Sequence, residues 1–343
     1  MRQTQEAKIG EVLFRQKLVN QHLGKDRLFF HESSAKQIRN ILKERVASSH
    51  KIFQDLSRSK ISLSPFLEVG AEKCQRSALL ASKFNSTGFA LDLSLESLKS
   101  APFFAKNLGL KKVPNLICAD AENLPFENNS FSFVFAFETL HHFPTPQKVL
   151  QEMRRVTADF GYVYFSEEPI KQDLNLKLWR RGYNLNSIEK ILKKMLVLPF
   201  ISKIGAAENQ FGVLENEFST KLWEKSLKDF IGASITIEPT FWGPKQKLIN
   251  TGKRWPINLA TRLTISIEGG GITVLYKKSG TEQRKKTKLT DLLRCPLCKK
   301  LNITRFKNKI ICKFCRARYP IVNSVYVLIE PKLRKRLYPN LEK

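Results

Sequence analysis

The sequence predicts an α/β chain: a doubly wound, mainly parallel sheet with a helical N-terminal extension and a small C-terminal zinc ribbon. Three observations carry this. Between residues 65 and 168 short apolar runs alternate with amphipathic segments, as in a parallel sheet with helices on both faces. Three of those runs end on a carboxylate, Glu68, Asp92 and Asp120, and the carboxyl ends of parallel strands are where such sheets hold ligands. Near the end, two Cys-x2-Cys pairs stand thirteen residues apart, a metal-ligand spacing.

Residues 1 to 60 read as helical. In AKQIRNILKERVASSHKIFQDL, Ile38, Ile41, Leu42, Val46, Phe53 and Leu56 recur near a 3.6-residue period, after Glu32, Ser33 and Ser34 as capping candidates. PFLEVG, SALLASKF, GFALDL, LESLKSAPFFAKNLG, NLICAD, SFSFVFAF, TPQKVLQEMRRV and YVYFSEE then supply strands and helices in alternation. Residues 169 to 230 form a mainly helical, basic insertion with Trp179 and Trp223, which would suit a pocket lid. ASITIEPTFW and GITVLYKK read as two late strands separated by a linker, completing a domain over 61–278. Residues 279–290 are a polar linker, 291–330 a separate small module and 331–343 a basic tail.

A chain of 343 residues accommodates about two domains. With 42% hydrophobic residues and 24 Phe it is no disordered polymer. Lys and Arg number 59 against 31 Asp and Glu, a net charge of +28. That excess favours phosphate-rich partners such as nucleic acid or an anionic membrane surface, although the basic residues are spread over many segments, as on a solvated Lys-rich surface. No stretch approaches the roughly 18 apolar residues of a membrane span, and the N-terminus lacks a secretory apolar core, so a cytoplasmic protein is expected. The most apolar run, MLVLPFISKIGAA at 195–207, is broken by Pro199 and Lys203 and reads as a buried element rather than a membrane-docking one.

A carboxylate after the second strand can accept both ribose hydroxyls of a nucleoside, and a side chain after the third can accept from adenine's exocyclic amine. Structural roles compete: Glu68 as an N-cap partner, Asp92 as a helix cap, Asp120 as a turn former. The phrases FLEVGAEKCQRSALL, GFALDLS, ICADAENLPFENNSFSFVFAFETLHHFPTPQKVLQEMRRV and GYVYFSEEP resemble the successive motifs of class I S-adenosylmethionine-dependent methyltransferases over residues 60 to 170. The resemblance implies Glu68 and Gly70 in the first cofactor loop, Asp92 with Leu93 at the ribose, Asp120 and Ala121 beside adenine, and Glu138 at the mouth of the fourth strand. It departs from the family at that loop, where Glu72 and Cys74 stand in place of glycines. Glu72 would face the cofactor's own carboxylate, and Gln75 or Arg76 could supply a compensating donor or charge.

His141 and His142 are weak general-base candidates. In the resembling family a His-His-Phe phrase accompanies varied substrates, which favours a pocket-shaping role, and methyl transfer needs mainly in-line positioning. Cys295, Cys298, Cys312 and Cys315 can close a tetrahedral, structural zinc site, whereas Cys74 and Cys118 read as ordinary buried residues. The segment around them resembles the zinc-ribbon module that accompanies or activates methyltransferases. The expected function is therefore methyl transfer from S-adenosylmethionine to a small-molecule, lipid or glycan acceptor. The alternatives are an RNA methyltransferase and a non-catalytic methyltransferase-fold binding module.

Overall fold

The computed structural model describes residues 2–22, 35–173, 178–180, 191–192, 195, 202–204, 212–281, 289–301 and 303–342. The capping candidates Glu32, Ser33 and Ser34, and most of the 169–211 stretch including the apolar run from 196 to 201, lie outside the described residues.

The centre of the molecule is β1 (Phe66–Val69), flanked by β2 (Gly88–Asp92) and β4 (Phe131–Phe137). β3 (Asn115–Cys118) follows β2 and β5 (Thr157–Ile170) follows β4, all parallel. The near-continuous apolar runs of β1 to β4 fit strands buried on both faces. The crossovers are α3 (Gln75–Lys83), α4 (Leu95–Asn107) and α5 (Gln147–Val156). α5 buries Val149, Leu150, Met153 and Val156 along one stripe.

Among the described residues, two short strands, β6 (Leu178–Arg180) and β7 (Ser202–Ile204), pair only with each other. The expected late strands are β8 (Ser234–Pro239) and β10 (Gly270–Lys277), the latter antiparallel to both β5 and β8. What read as a linker between them holds β9 (Gln246–Ile249) and α7 (Leu259–Glu268), after α6 (Thr220–Ser226). These escaped the sequence reading because β9 is four residues long and Trp255 and Ile257 fill the core from irregular chain.

Both N-terminal helices pack on this sheet. In α2 (Ala35–Arg58), Phe53 meets Phe84, Phe133 and Phe135 edge-on, an arrangement aromatic quadrupoles favour. Leu42 and Leu56 are buried as expected, whereas Ile41 is exposed. α1 (Arg2–His22) packs against α4 and lies over the carboxyl ends of the strands.

The C-terminal module is not separate. β11 (Ile303–Phe306), β12 (Lys309–Cys312), β13 (Arg318–Val322) and β14 (Val325–Val327) form an antiparallel ribbon, and β14 pairs in parallel with β3 (Val325 with Leu116, Val327 with Cys118). The ribbon thus covers an edge strand that would otherwise leave its backbone groups unpaired. One apolar core includes Cys295, Ile310, Cys312 and Tyr319 together with Leu67 and Phe89. Nor is the basic tail free: α8 (Pro331–Leu337) packs on α1, and Arg334 donates to Arg318 O at 2.7 Å.

Candidate cofactor and acceptor site

The loop after β1 turns at Gly70, whose φ is +73°. A Cβ there would come within 2.3 Å of Thr139 Oγ1, so only glycine lets the loop pass. Glu72 and Cys74 adopt φ of 48° and 60°, left-handed values that cost an ordinary residue about 1–2 kcal/mol each. The glycine-type backbone is therefore kept although two glycines are gone. Tertiary bonds offset the cost: Glu72 N–H donates to Asp92 Oδ2 at 2.8 Å. Its carboxylate pairs with Lys73 and with Arg15 at 3.4 Å and Arg45 at 3.9 Å. Burial opposes its ionisation, but those three cations outweigh burial and hold Glu72 below the usual carboxylate range.

This arrangement corrects the expected role of Arg76. Its guanidinium donates to Glu167 Oε2 at 3.1 Å and Ser49 Oγ at 3.2 Å and lies over the Phe137 ring. The cations that neutralise Glu72 come instead from α1, α2 and Lys73. Glu68 is also set back from the cavity. It is 2% exposed, and its Oε2 accepts from Ser77 N at 3.0 Å, bracing the first turn of α3. Burial raises its pKa to about 7, only partly offset by Ser77 and Arg76.

Gly70, Asp92, Leu93, Asp120, Ala121, Glu138, His141 and His142 do converge, lining one cavity of about 440 Å³. Asp92 accepts from Glu72 N and Ser94 N, both at 2.8 Å, and burial raises its pKa to about 6 against the pull of those amides and Arg15. Asp120 Oδ1 accepts from Glu122 N at 3.0 Å, and its Oδ2 pairs with Lys8 at 2.6 Å. Glu138, at φ 47°, pairs with Arg45 at 2.9 Å. Asp120 thus combines the turn-forming role open in the sequence with a position on the cavity wall, whereas the N-cap of α4 is Ser94, whose hydroxyl accepts from Ser97 N, and not Asp92.

At the other end of the cavity, the fully buried Glu168 accepts from the backbone N–H groups of Thr139, Leu140 and His141 at 2.7–3.1 Å. It also meets His141 Nδ1 at 3.0 Å, so that nitrogen carries the proton and Nε2 faces Glu215 Oε2 at 3.6 Å. Burial alone would lower the His141 pKa; Glu168, Glu215 and Glu138 together raise it. His142 Nδ1 lies 3.0 Å from Leu214 O, and Nε2 lies 3.4 Å from an Arg15 nitrogen. The carbonyl fixes the proton on Nδ1 and the guanidinium occupies the remaining lone pair. Although His141, His142 and Glu215 cluster, His142 therefore has no free lone pair for an ion, and the cluster is a hydrogen-bonded network.

Sequence reading missed the contributions from outside the methyltransferase-like segment, Lys8, Glu11 and Arg15 on α1, Arg45 on α2 and Glu215, and within it missed Glu168. The 8, 11, 15 spacing of alternating charge was the available signal for one helix face. The insertion expected as a lid supplies Leu214 and Glu215, but its Trp223 is buried against Phe165 in the core, and α1 does the covering.

In the ribbon the thiols of Cys295 and Cys315 stand 3.6 Å apart and those of Cys298 and Cys312 3.5 Å. A tetrahedron with bonds of about 2.3 Å has edges of about 3.8 Å, so the four sulfurs fit zinc. All are free thiols, and Tyr319 O–H lies 3.1 Å from Cys295 Sγ. Cys74 and Cys118 are buried elsewhere. Among the described residues no helix is long and apolar enough to cross a membrane.

Residues 67–165 match the family described as methyltransferase domain, and residues 286–324 match the family described as Trm112p-like protein. A UPF0434 protein of Photobacterium profundum is 50% identical over 48 residues, 14% of this chain and 81% of that protein. A malonyl-[acyl-carrier protein] O-methyltransferase of Marinomonas sp. is 26% identical over 191 residues, 51% of this chain and 68% of that protein. Among solved structures, a SAM-dependent methyltransferase from Aquifex aeolicus superposes with a TM-score of 0.36 at 15% identity, over 68% of this chain and 98% of that one. The chain is a class I S-adenosylmethionine-dependent methyltransferase whose C-terminal segment belongs to the Trm112p-like, UPF0434 family.

Proposed function

We propose that the chain methylates a small-molecule acceptor, of lipid, glycan or metabolite type, bound at the His141 and His142 end of the cavity. The observation that carries this reading is the cavity: about 440 Å³, within the roughly 300–1,000 Å³ typical of small-molecule sites, and covered by α1. Asp92 would accept from the ribose hydroxyls, Asp120 and Ala121 would flank the adenine, and Gly70 would leave room for the methionine portion. Two buried oxygens of cavity-lining residues, Glu11 Oε2 and Gln75 Oε1, have no hydrogen-bond partner among the described residues, which suits a ligand bearing ammonium and hydroxyl donors. S-adenosylmethionine, when bound, supplies an electrophilic methyl group on sulfonium. In the ribbon, zinc would be structural, since four thiolates leave no open coordination position.

The protein's own task at the acceptor end is orientation and proton removal. Glu168 fixes the His141 ring and its tautomer, leaving Nε2 to take a proton from an acceptor hydroxyl. Because carboxylates raise the His141 pKa, kcat should rise with pH through that value, and His141→Gln should flatten the profile. Calorimetry with S-adenosylmethionine tests the site beneath this reading: Asp92→Asn should weaken binding by about 1.5–3 kcal/mol. Unchanged affinity would remove Asp92 from the ribose. Labelled product that stays with an RNA fraction in extracts given tritiated cofactor would overturn the small-molecule acceptor.

A further inference from the structure

Between Asp291 and Glu330 the chain has nine Lys and Arg and no Asp or Glu. Two of the nine are engaged by the rest of the protein: Arg294 lies 3.5 Å from Glu152, and Lys299 bonds Asn123. Lys300, Arg305, Lys307, Lys309, Lys313, Arg316 and Arg318 have no carboxylate partner among the described residues.

Strand register sorts them. Directly opposed residues of antiparallel strands share a face, so the pairs Phe306 with Lys309, and Ile311 with Arg318, stand on one side of the ribbon. The other side carries Ile310 and Tyr319, both buried in the core. The outer side has no such cover: Phe306 is 55% exposed. At the second knuckle, Phe314 projects between two zinc-site cysteines and is 65% exposed. Each exposed ring has a lysine ammonium over it, Lys307 at 5.9 Å and Lys300 at 5.7 Å. A structural ribbon gains nothing from leaving two phenylalanines in water, where each sheds the benefit of burial.

We propose that this outer ribbon face, together with the knuckle that follows β12, binds single-stranded nucleic acid, RNA foremost, with Phe306 and Phe314 stacking unpaired bases and Lys309, Arg318 and their neighbours holding the phosphates. Exposed aromatic faces interleaved with cations are the chemistry of sequence-tolerant single-strand binding. A duplex would offer phosphates alone and leave both rings unused. The surface lies outside the cofactor cavity, so the inference stands whatever acceptor that cavity takes.

The test is fluorescence anisotropy of the full, zinc-loaded chain with a labelled oligouridine of about 15 nucleotides, a length within reach of one small binding module. Binding should weaken steeply with salt. Phe306→Ala and Phe314→Ala should each weaken it at least about fivefold, with zinc content and melting temperature unchanged because both side chains are exposed. Lys309→Ala and Arg318→Ala should each lower the salt slope by about 0.7. Failure to bind at about 0.1 M salt would overturn the proposal. So would aromatic variants that bind like the parent, since charge alone would then be responsible, or loss of binding to phosphatidylserine vesicles but not to RNA in those variants.

Discussion

Tyr338→Phe tests whether the C-terminal tail governs the cofactor loop. The Tyr338 hydroxyl donates to Leu93 O at 2.6 Å and accepts from Leu95 N at 2.9 Å. It thereby bridges the turn that carries Asp92 to the first N–H of α4. Phenylalanine keeps the ring and removes both bonds. Leu95 N, one of the donors a helix start leaves without an internal partner, would be orphaned, while Leu93 O retains the Cys118 thiol at 3.2 Å. One buried unsatisfied amide plus one weakened carbonyl amounts to about 2–3 kcal/mol on the ordered loop. Asp92 keeps its own bonds to Glu72 N and Ser94 N, so part of that loss falls on cofactor affinity and part on fold stability. The expectation is about a tenfold rise in the S-adenosylmethionine dissociation constant by calorimetry, a shift of about 1.4 kcal/mol, with the maximal rate at saturating cofactor preserved. A lowered melting temperature with unchanged cofactor affinity would refute the coupling and leave the tail a packing element.

Glu68→Gln should stabilise the cofactor-free protein at alkaline pH. The Glu68 pKa is raised from 4.5 to about 7 by burial, so its favourable contribution is present below about 4.5 and lost as pH rises through about 7. The substitution should therefore gain up to about 3 kcal/mol at pH 8 and almost nothing at pH 4.5 in denaturant melts; equal effects at both pH values would contradict the burial argument. Cys312→Ser should release bound zinc and, because β14 pairs with β3, lower the cooperative melting temperature of the whole molecule and expose an aggregation-prone edge. Intact main-sheet stability alongside a melted ribbon would show that the edge pairing contributes little.

The parallel sheet and the ribbon were legible because each rests on a local pattern: strand runs such as SFSFVFAF, and two Cys-x2-Cys pairs. The cavity wall was legible only in part. Gly70 directly follows β1, Asp92 ends β2 and Asp120 stands two residues past β3, so strand position located them. Lys8 and Arg45 reach the site from helices about 110 and 90 residues distant in sequence from their partners Asp120 and Glu138, and no local pattern records such a pairing. Glu168 was hidden differently: in FSEEP it reads as one of two surface acids, yet Glu167 takes φ 64° where the register of β5 against β10 shifts, which leaves Glu167 exposed and Glu168 buried. Arg76 stands four residues from Glu72 in the sequence, but the first turn of α3 directs it to Glu167 and Phe137.

The missed residues have a consequence for binding. The cavity-lining carboxylates Asp120, Glu72 and Asp92 each already have a cation beside them or an amide on them: Lys8 on Asp120, Arg15 and Arg45 on Glu72, and two backbone N–H groups on Asp92. On the proposed reading, an incoming adenine amine would share Asp120 with Lys8, whose ammonium also holds Glu122 at 2.6 Å. Burial opposes the charge on Lys8, but Asp120 and Glu122 outweigh it and raise its pKa, so the ion pair persists throughout the physiological range. Cofactor binding would thereby be tied to the seating of α1, since Lys8, Glu11 and Arg15 stand on one helix that lines the cavity. Lys8→Met keeps most of the apolar stem and removes the pair. If Lys8 competes for Asp120, cofactor affinity should rise a few-fold; if it instead holds Asp120 and α1 in the binding geometry, affinity should fall and Asp120→Asn should add little further loss. A double-mutant cycle with coupling beyond about 0.5 kcal/mol establishes the link in either direction, and strict additivity would mean that α1 covers the cavity without governing what enters it.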